Sequence, residues 1–251
     1  MITADQPTLF PSSVRAVVSS AADGTVKYGV DETDEKVAEN LSQLTAKVGL
    51  AESQVAGIYI TYDSNRTYDV IREVRASDTL DIRDKSTWVL CDALVTTDKH
   101  VGLLIPIADC NGVIVHDPTH NVLALAHIGW HAAAADLPAK LVKYLVDKYD
   151  SIPGELLVYI SPSIRKASYF NDNPVQLHES AWQGYIERSS QGYHMDVFGY
   201  VRDQFFASGV MHSNMQASAT DVAQSHHYFS HFREKQNDQI AGRFAVICTL
   251  T

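Results

Sequence analysis

The chain has 251 residues, 45% hydrophobic and 20% charged, which excludes a disordered or collagenous chain and supplies enough apolar side chain for a core. Thirty acidic against twenty basic residues give a formal charge of −10, and nucleic-acid affinity rests on Lys and Arg neutralising phosphates, so that partner class is disfavoured. No apolar run approaches the ~20 residues of a membrane span. MITADQPTLF lacks the basic-then-apolar pattern of a signal peptide, and Cys91, Cys110 and Cys248 are too few and odd in number for a disulfide scaffold. A cytoplasmic protein without membrane or nucleic-acid partners is expected.

In chain order, Val14–Ser19 reads as a strand, followed by a helix whose Val37, Leu41, Leu44 and Val48 share one face and which Gly49 closes. Val55–Thr61 is the next strand. Four short apolar runs then crowd together: Trp88–Thr96, Val101–Ala108, Gly112–His116 and Val122–Ile128. Asp117-Pro118 sits between the last two, as a hairpin turn would. Pro138 fits the first turn of a helix burying Leu141, Val142 and Leu145. Leu156–Ser161 is a strand, Val175–Arg188 and Asp196–Ala207 show helical patterns, and Phe244–Leu250 closes the chain as a strand. Strands and helices mixed with a tight hairpin predict one α/β (α+β) domain over 1–251 built on mixed sheets.

Chemistry concentrates between Cys91 and His131. IADC places Asp109 and Cys110 at the end of one strand, and ALAHIGWH places His127 at the end of another, with His131 one helical turn later. A strand–hairpin–strand order brings Cys110 and His127 to adjacent strands. From spacing alone the two form either a Cys/His nucleophile pair or part of a zinc site, or they serve as ordinary structural residues. His127 and His131 have the i, i+4 spacing that lets two imidazoles share a metal. Asp109, after an apolar strand, is either an acid/base with a raised pKa or a capping carboxylate. Cys91 and Cys248 lie inside strand patterns and read as core.

The segments CDALVTT, VGLLIPIADCNGVIVHDP and VLALAHIGWH resemble the YfiH-type family, whose members have been called laccase-domain proteins, polyphenol oxidases, peptidoglycan editing factors and purine nucleoside phosphorylases. VAENLSQL, SPSIRKASYF and HYFSHFREKQNDQIAGRFAVI extend the likeness over nearly the whole chain, in order. The resemblance implies a four-layer α/β fold and a monomer. It implies a zinc ion held by two His and one Cys, and phosphorolysis of adenosine, inosine and methylthioadenosine with adenosine deamination as a side activity. Carried onto this chain, Cys110 and His127 are two of the ligands and Asp109 is the acidic neighbour. Tyr228, Ser230, Arg233 and Arg243 are candidates to bind the substrate, the two Arg holding an anion such as phosphate.

This chain departs from the family at telling places. The first His ligand falls where GIYITYDS has Tyr62, and no His precedes His100. The Arg of the family's HAGWRG is His131, and the Gly-rich N-terminal segments have no counterpart. Two outcomes are open for the metal: His131 completes a Cys110/His127/His131 set, or the zinc site is gone. Three functions follow: a purine nucleoside phosphorylase-like enzyme, a degenerate member that binds a ligand or protein, and a metal-free Cys/His hydrolase.

Overall fold

The computed structural model describes every residue except Asp31, Ser64 and Gln191. The chain begins with β1 (Val14–Val18), α1 (Asp34–Lys47), β2 (Val55–Tyr59), β3 (Ile71–Glu73), β4 (Val89–Leu90) and β5 (Ala93–Thr96). It continues through β6 (Gly102–Ile107), β7 (Asn111–Asp117), β8 (Val122–Ile128), α2 (Trp130–Ala134), α3 (Leu137–Tyr149), β9 (Leu157–Ile160) and β10 (Phe170–Asn171). The remainder is β11 (Ile186–Ser189), β12 (Gly192–Met195), α4 (Val197–Ala207), β13 (Met215–Ala217), α5 (His231–Gln236) and β14 (Phe244–Leu250).

Two mixed sheets form the centre. One has the order β1-β14-β6-β2-β4, antiparallel as far as β6 and parallel beyond it; the other has the order β13-β9-β7-β8-β5-β3, parallel at its two edges. Because side chains alternate along a strand, each central strand is apolar on both faces when both are covered. Leu103 and Ile105 of β6 therefore meet Leu123 and Leu125 of β8 between the sheets. Leu104, one step out of phase, packs with Val37, Leu41 and Leu44 of α1, whereas Ala124 and Ala126 of β8 face α2, α3 and α4. The result is four layers, helix, sheet, sheet and helices. A small antiparallel sheet, β10-β12-β11, stands apart.

Two expectations need correction. The run Trp88–Thr96 is not one strand: β4 joins the first sheet and β5 the second. Asp92 breaks it, its carboxylate accepting from the Val70 N–H at 3.0 Å and from Arg66 at 2.8 Å. Val175–Arg188 is not a helix. It is two short 3-10 turns followed by β11, because Trp182 is the one deeply buried apolar side chain there while Val175 is 70% exposed, so no apolar stripe exists to dock. The other expected elements lie within a residue or two of their positions.

Candidate functional site

The β7–β8 hairpin pairs Gly112 with His127 and Asn111 with Ile128, which sets Cys110, just before β7, beside the end of β8. Gly129 makes the approach feasible. A Cβ on it would lie 2.9 Å from Cys110 Sγ and 3.6 Å from His127 Cε1, so thiol and imidazole flank one point that only glycine leaves open. Asn111 locks the corner, its amide donating to the Ile128 carbonyl at 3.0 Å while its Oδ1 accepts from Ser163 at 2.8 Å. The His127 backbone N–H donates to the Asp92 carbonyl at 2.8 Å. Asp92 and Arg66 form a buried ion pair at 2.8 Å that fixes this edge.

Burial and the nearby Asp109 carboxylate push the Cys110 thiol up to about 12. Burial, reinforced by the positive charges of Arg66 and Arg243, pushes His127 down to about 3. Near neutral pH the pair is an uncharged thiol beside an uncharged imidazole. A thiolate–imidazolium nucleophile needs the opposite shift in both groups.

Asp109 sits in a left-handed conformation at φ 80°. Its carboxylate accepts from Ser230 Oγ and from the Phe232 backbone N–H, both at 2.6 Å, and so holds the N-terminus of α5. Burial raises its pKa although both hydrogen bonds favour the charged form. The capping alternative is the one the geometry displays.

The four residues expected at the substrate part company. Ser230 is the fully buried N-cap of α5, donating to Asp109 and accepting from the Arg233 N–H. Tyr228 is buried on Phe244 and donates to Asp5 at 2.9 Å. Arg233 donates to the carbonyls of Val222, Ser225 and Tyr228 and pairs with Glu234. All three spend their polar groups on holding the 222–234 segment. Arg243 also donates, from Nη1 to the Ala241 and Gly242 carbonyls at 3.0 and 2.8 Å, but it lines the cleft described next, and its charge reaches Cys110, His127, Asp109 and Tyr62.

That cleft, about 1220 Å³, opens where the strand ends of both sheets converge. Cys110, His127, Gly129 and Asn111 lie along it. Tyr28, Trp88, Trp130, Tyr169, Phe170 and Phe232 supply an aromatic lining, and Lys27, Lys85, Lys235 and Arg243 supply cations. Sequence reasoning missed the three lysines and most of the aromatics. They come from distant segments with no shared spacing, so no local signal marks them.

Tyr62 and His131 complete the rim. The His131 ring stacks on Trp130 at 3.4 Å and on Tyr68 at 4.4 Å, with Tyr62 at 5.4 Å. The Tyr62 phenol stands against the Cys110 thiol, and this neighbour above all raises its pKa above the ordinary tyrosine value, although the residue as a whole is 65% exposed at the rim. Among the described residues no three His, Cys, Asp or Glu side chains converge as metal ligands. Cys110 and His127 are brought together; His131 is held in the aromatic pile instead of joining them. A tetrahedral zinc wants three ionised or neutral N and S donors. A phenol that keeps its proton is a poor donor to that ion.

The family described as multi-copper polyphenol oxidoreductase laccase matches residues 16–251. Among curated proteins, the chain is similar to purine nucleoside phosphorylase YlmD of Bacillus subtilis, 32% identical over 84 residues, or 34% of this chain and 30% of that protein. It is also similar to purine nucleoside phosphorylase PA4543 of Pseudomonas aeruginosa, 26% identical across 99% of this chain and 98% of that protein. In fold it resembles YlmD from Geobacillus stearothermophilus, with a TM-score of 0.84 at 21% identity over 97% of this chain and 94% of that one. A hypothetical protein YfiH from Bacillus licheniformis gives a TM-score of 0.77 at 19% identity, covering 95% and 93% of the two chains.

Proposed function

The chain belongs to the multi-copper polyphenol oxidoreductase laccase family, and on that premise we propose that it acts on a purine nucleoside in the cleft at the strand ends. The observation that carries the reading is the meeting, in one cleft, of an aromatic wall, the Arg243 cation and the uncharged Cys110–His127 pair. An aromatic wall suits a purine face, and a guanidinium suits phosphate oxygens through charge-assisted hydrogen bonds. Relatives are named purine nucleoside phosphorylases.

In phosphorolysis a phosphate oxygen bonds to the ribose anomeric carbon, the bond to the purine nitrogen breaks, and the proton that the hydrogen phosphate gives up passes to the purine. Arg243 holds the phosphate beside Cys110 and His127. Those two orient the sugar and the departing base by hydrogen bonding, without carrying charge. Asp109 acts indirectly, by seating α5 and therefore Phe232 on the cleft wall. The proposal includes no resident zinc, because Tyr62 replaces a donor imidazole. Adenosine deamination needs a strongly activated water and is expected to be weaker than phosphorolysis.

The test is nucleobase release from adenosine and inosine with phosphate, for the wild type, Tyr62→His and Cys110→Ala, with zinc measured by elemental analysis. We expect sub-stoichiometric zinc and slow turnover in the wild type. Tyr62→His should raise zinc binding and turnover by at least tenfold, about 1.4 kcal/mol of transition-state stabilisation. Full zinc occupancy that is lost in Cys110→Ala would overturn the metal-free reading and point to His131 as third ligand. Robust turnover that survives Cys110→Ala would remove the proposed site. No turnover in any variant would favour a ligand-binding member of the family.

A further inference from the structure

The protein carries a formal charge of −10, yet the cleft gathers four cations, Lys27, Lys85, Lys235 and Arg243. Among the described residues none of the four has a carboxylate within ion-pair distance, although many other basic side chains do. Two of them are near neighbours, and a third flanks the same imidazole. His231, at the start of α5, feels the charges of Arg243, Lys235 and Lys27 together, and Lys27 feels Arg243. The backbone brings them in: Arg243 N–H donates to Thr25 Oγ1 at 2.9 Å, and Val26 N–H to the Arg243 carbonyl at 3.0 Å, so the Lys27 segment runs alongside the start of β14. Asp109 offsets part of the Arg243 charge, but none of the described carboxylates pairs directly with any of the four, and clustered cations of this kind draw an anionic ligand.

The hydrogen-bonding inventory points the same way. Lysine and arginine are donors only. Charged acceptors are few on the lining, although neutral ones remain at Asn171, Gln236 and the imidazoles of His127, His131 and His231. Both Asp109 oxygens are engaged by Ser230 and Phe232, and the Asn111 amide is engaged on both sides. Asp172 is the other carboxylate on the lining. A cleft this rich in donors matches a ligand rich in acceptors.

We infer that the ligand this cleft selects is a phosphorylated purine nucleoside, its phosphate seated on Lys27, Lys235 and Arg243 and its base on the aromatic wall. The inference rests on the purine reading above but replaces the neutral nucleoside with a phosphate ester. Lys85, exposed and over the Tyr28 ring at 5.7 Å, adds to the field.

Calorimetric titration of the purified protein with adenosine 5′-monophosphate, adenosine, inorganic phosphate, and adenosine with saturating phosphate tests it. The monophosphate should bind at least tenfold more tightly than adenosine, with or without phosphate. The preference should shrink to threefold or less in the Lys27→Met/Lys235→Met double variant, which keeps the apolar stems, while adenosine affinity stays within twofold. Lys85→Met, at an exposed position, should lower monophosphate affinity by a smaller factor and serves if the double variant folds poorly. Adenosine binding as tightly as the monophosphate, or a preference that survives the double variant, would overturn the inference. Nucleobase release separates the two readings. Adenosine phosphorolysis without monophosphate binding keeps the nucleoside enzyme and ends this inference. Selective monophosphate binding without nucleobase release from any ligand keeps this inference and ends the phosphorylase reading.

Discussion

Gly129 is the residue on which the Cys110–His127 approach depends, and its role is steric. Its φ of −83° and ψ of −176° are available to any residue, so an alanine there meets no backbone penalty. Its Cβ instead meets Cys110 Sγ at 2.9 Å, closer than packed atoms tolerate. Gly129→Ala should therefore cost about 1–3 kcal/mol of stability, the usual range for overpacking, and should push the thiol away from the imidazole. In a Cys110→Ala background the clashing sulfur is absent, so most of that cost should vanish. Chemical denaturation of the wild type, both single variants and the double variant measures the coupling directly. Additive effects would mean that the two side chains do not share the space. Tyr62, by contrast, is a change of chemistry at a fixed place. It presents a phenol to Cys110, and the sulfur neighbour keeps its proton on.

At the scale of single elements, two carboxylates do structural work that their sequence motifs share with chemistry. Asp109 holds both the Ser230 hydroxyl and the Phe232 N–H and thereby anchors α5, a helix of 6 residues that is too short to persist without a cap. Asp109→Ala should cost about 1–2 kcal/mol, in the range for N-cap loss, and should raise hydrogen exchange first in α5. Exchange unchanged in α5 would argue against the anchoring role. Asp117 ends β7 and accepts from Ser151 Oγ at 2.5 Å, from the Thr119 and His120 N–H groups at 2.8 and 3.0 Å, and pairs with His120 Nδ1 at 2.8 Å. Burial alone would raise its pKa, but these hydrogen bonds together outweigh it and the net shift is downward. A carboxylate with a depressed folded-state pKa contributes stability that is full above its unfolded value of about 3.9 and is lost as pH falls through the folded value. The stability of the wild type should fall below about pH 4 more steeply than that of Asp117→Asn, which has no charge to lose. Denaturation midpoints followed from pH 6 to pH 2 decide this, and parallel curves would refute it.

For the molecule as a whole, the inter-sheet core and the cleft occupy different parts of the same strands. The middles of β6 and β8 bury Ile105 and Leu125 between the sheets, whereas their ends open onto the cleft at Ile107 and His127. A cavity made in the middle should be felt by the fold and hardly by the ligand. Ile105→Ala is expected to cost about 2–5 kcal/mol while leaving ligand affinity, measured well below the lowered melting temperature, within about twofold. A tenfold loss of affinity would mean that the inter-sheet core positions the strand ends. No helix among the described residues is long and apolar enough to cross a membrane. The cationic cleft within an acidic surface is a feature of this scale as well, since net charge counts residues and says nothing of where they gather.

The sequence alone determined what short-range periodicity can encode. The apolar face of α1, the alternation along β6, β7 and β8, and the turn at Asp117-Pro118 are each written within a few residues. They were sufficient to set Cys110 beside His127, because a hairpin is a local object. Similarity of motifs carried the family and its fold. Tertiary structure decided the rest. Lys27, Lys85, Lys235 and Arg243 belong to segments far apart in the chain and meet only because β14 lies between β1 and β6 and because Asp109 seats α5. The same packing turned Tyr228, Ser230 and Arg233 inward onto Asp5, Asp109 and backbone carbonyls, although their motif suggested a binding surface. The run through Asp92 was divided between two sheets by the pairing of that carboxylate with Arg66. Periodicity specifies which face of an element is apolar. Which elements share a neighbour, and which polar atoms are already engaged there, depends on sheet order and on the competition for hydrogen-bond partners, which exists only once the layers have packed.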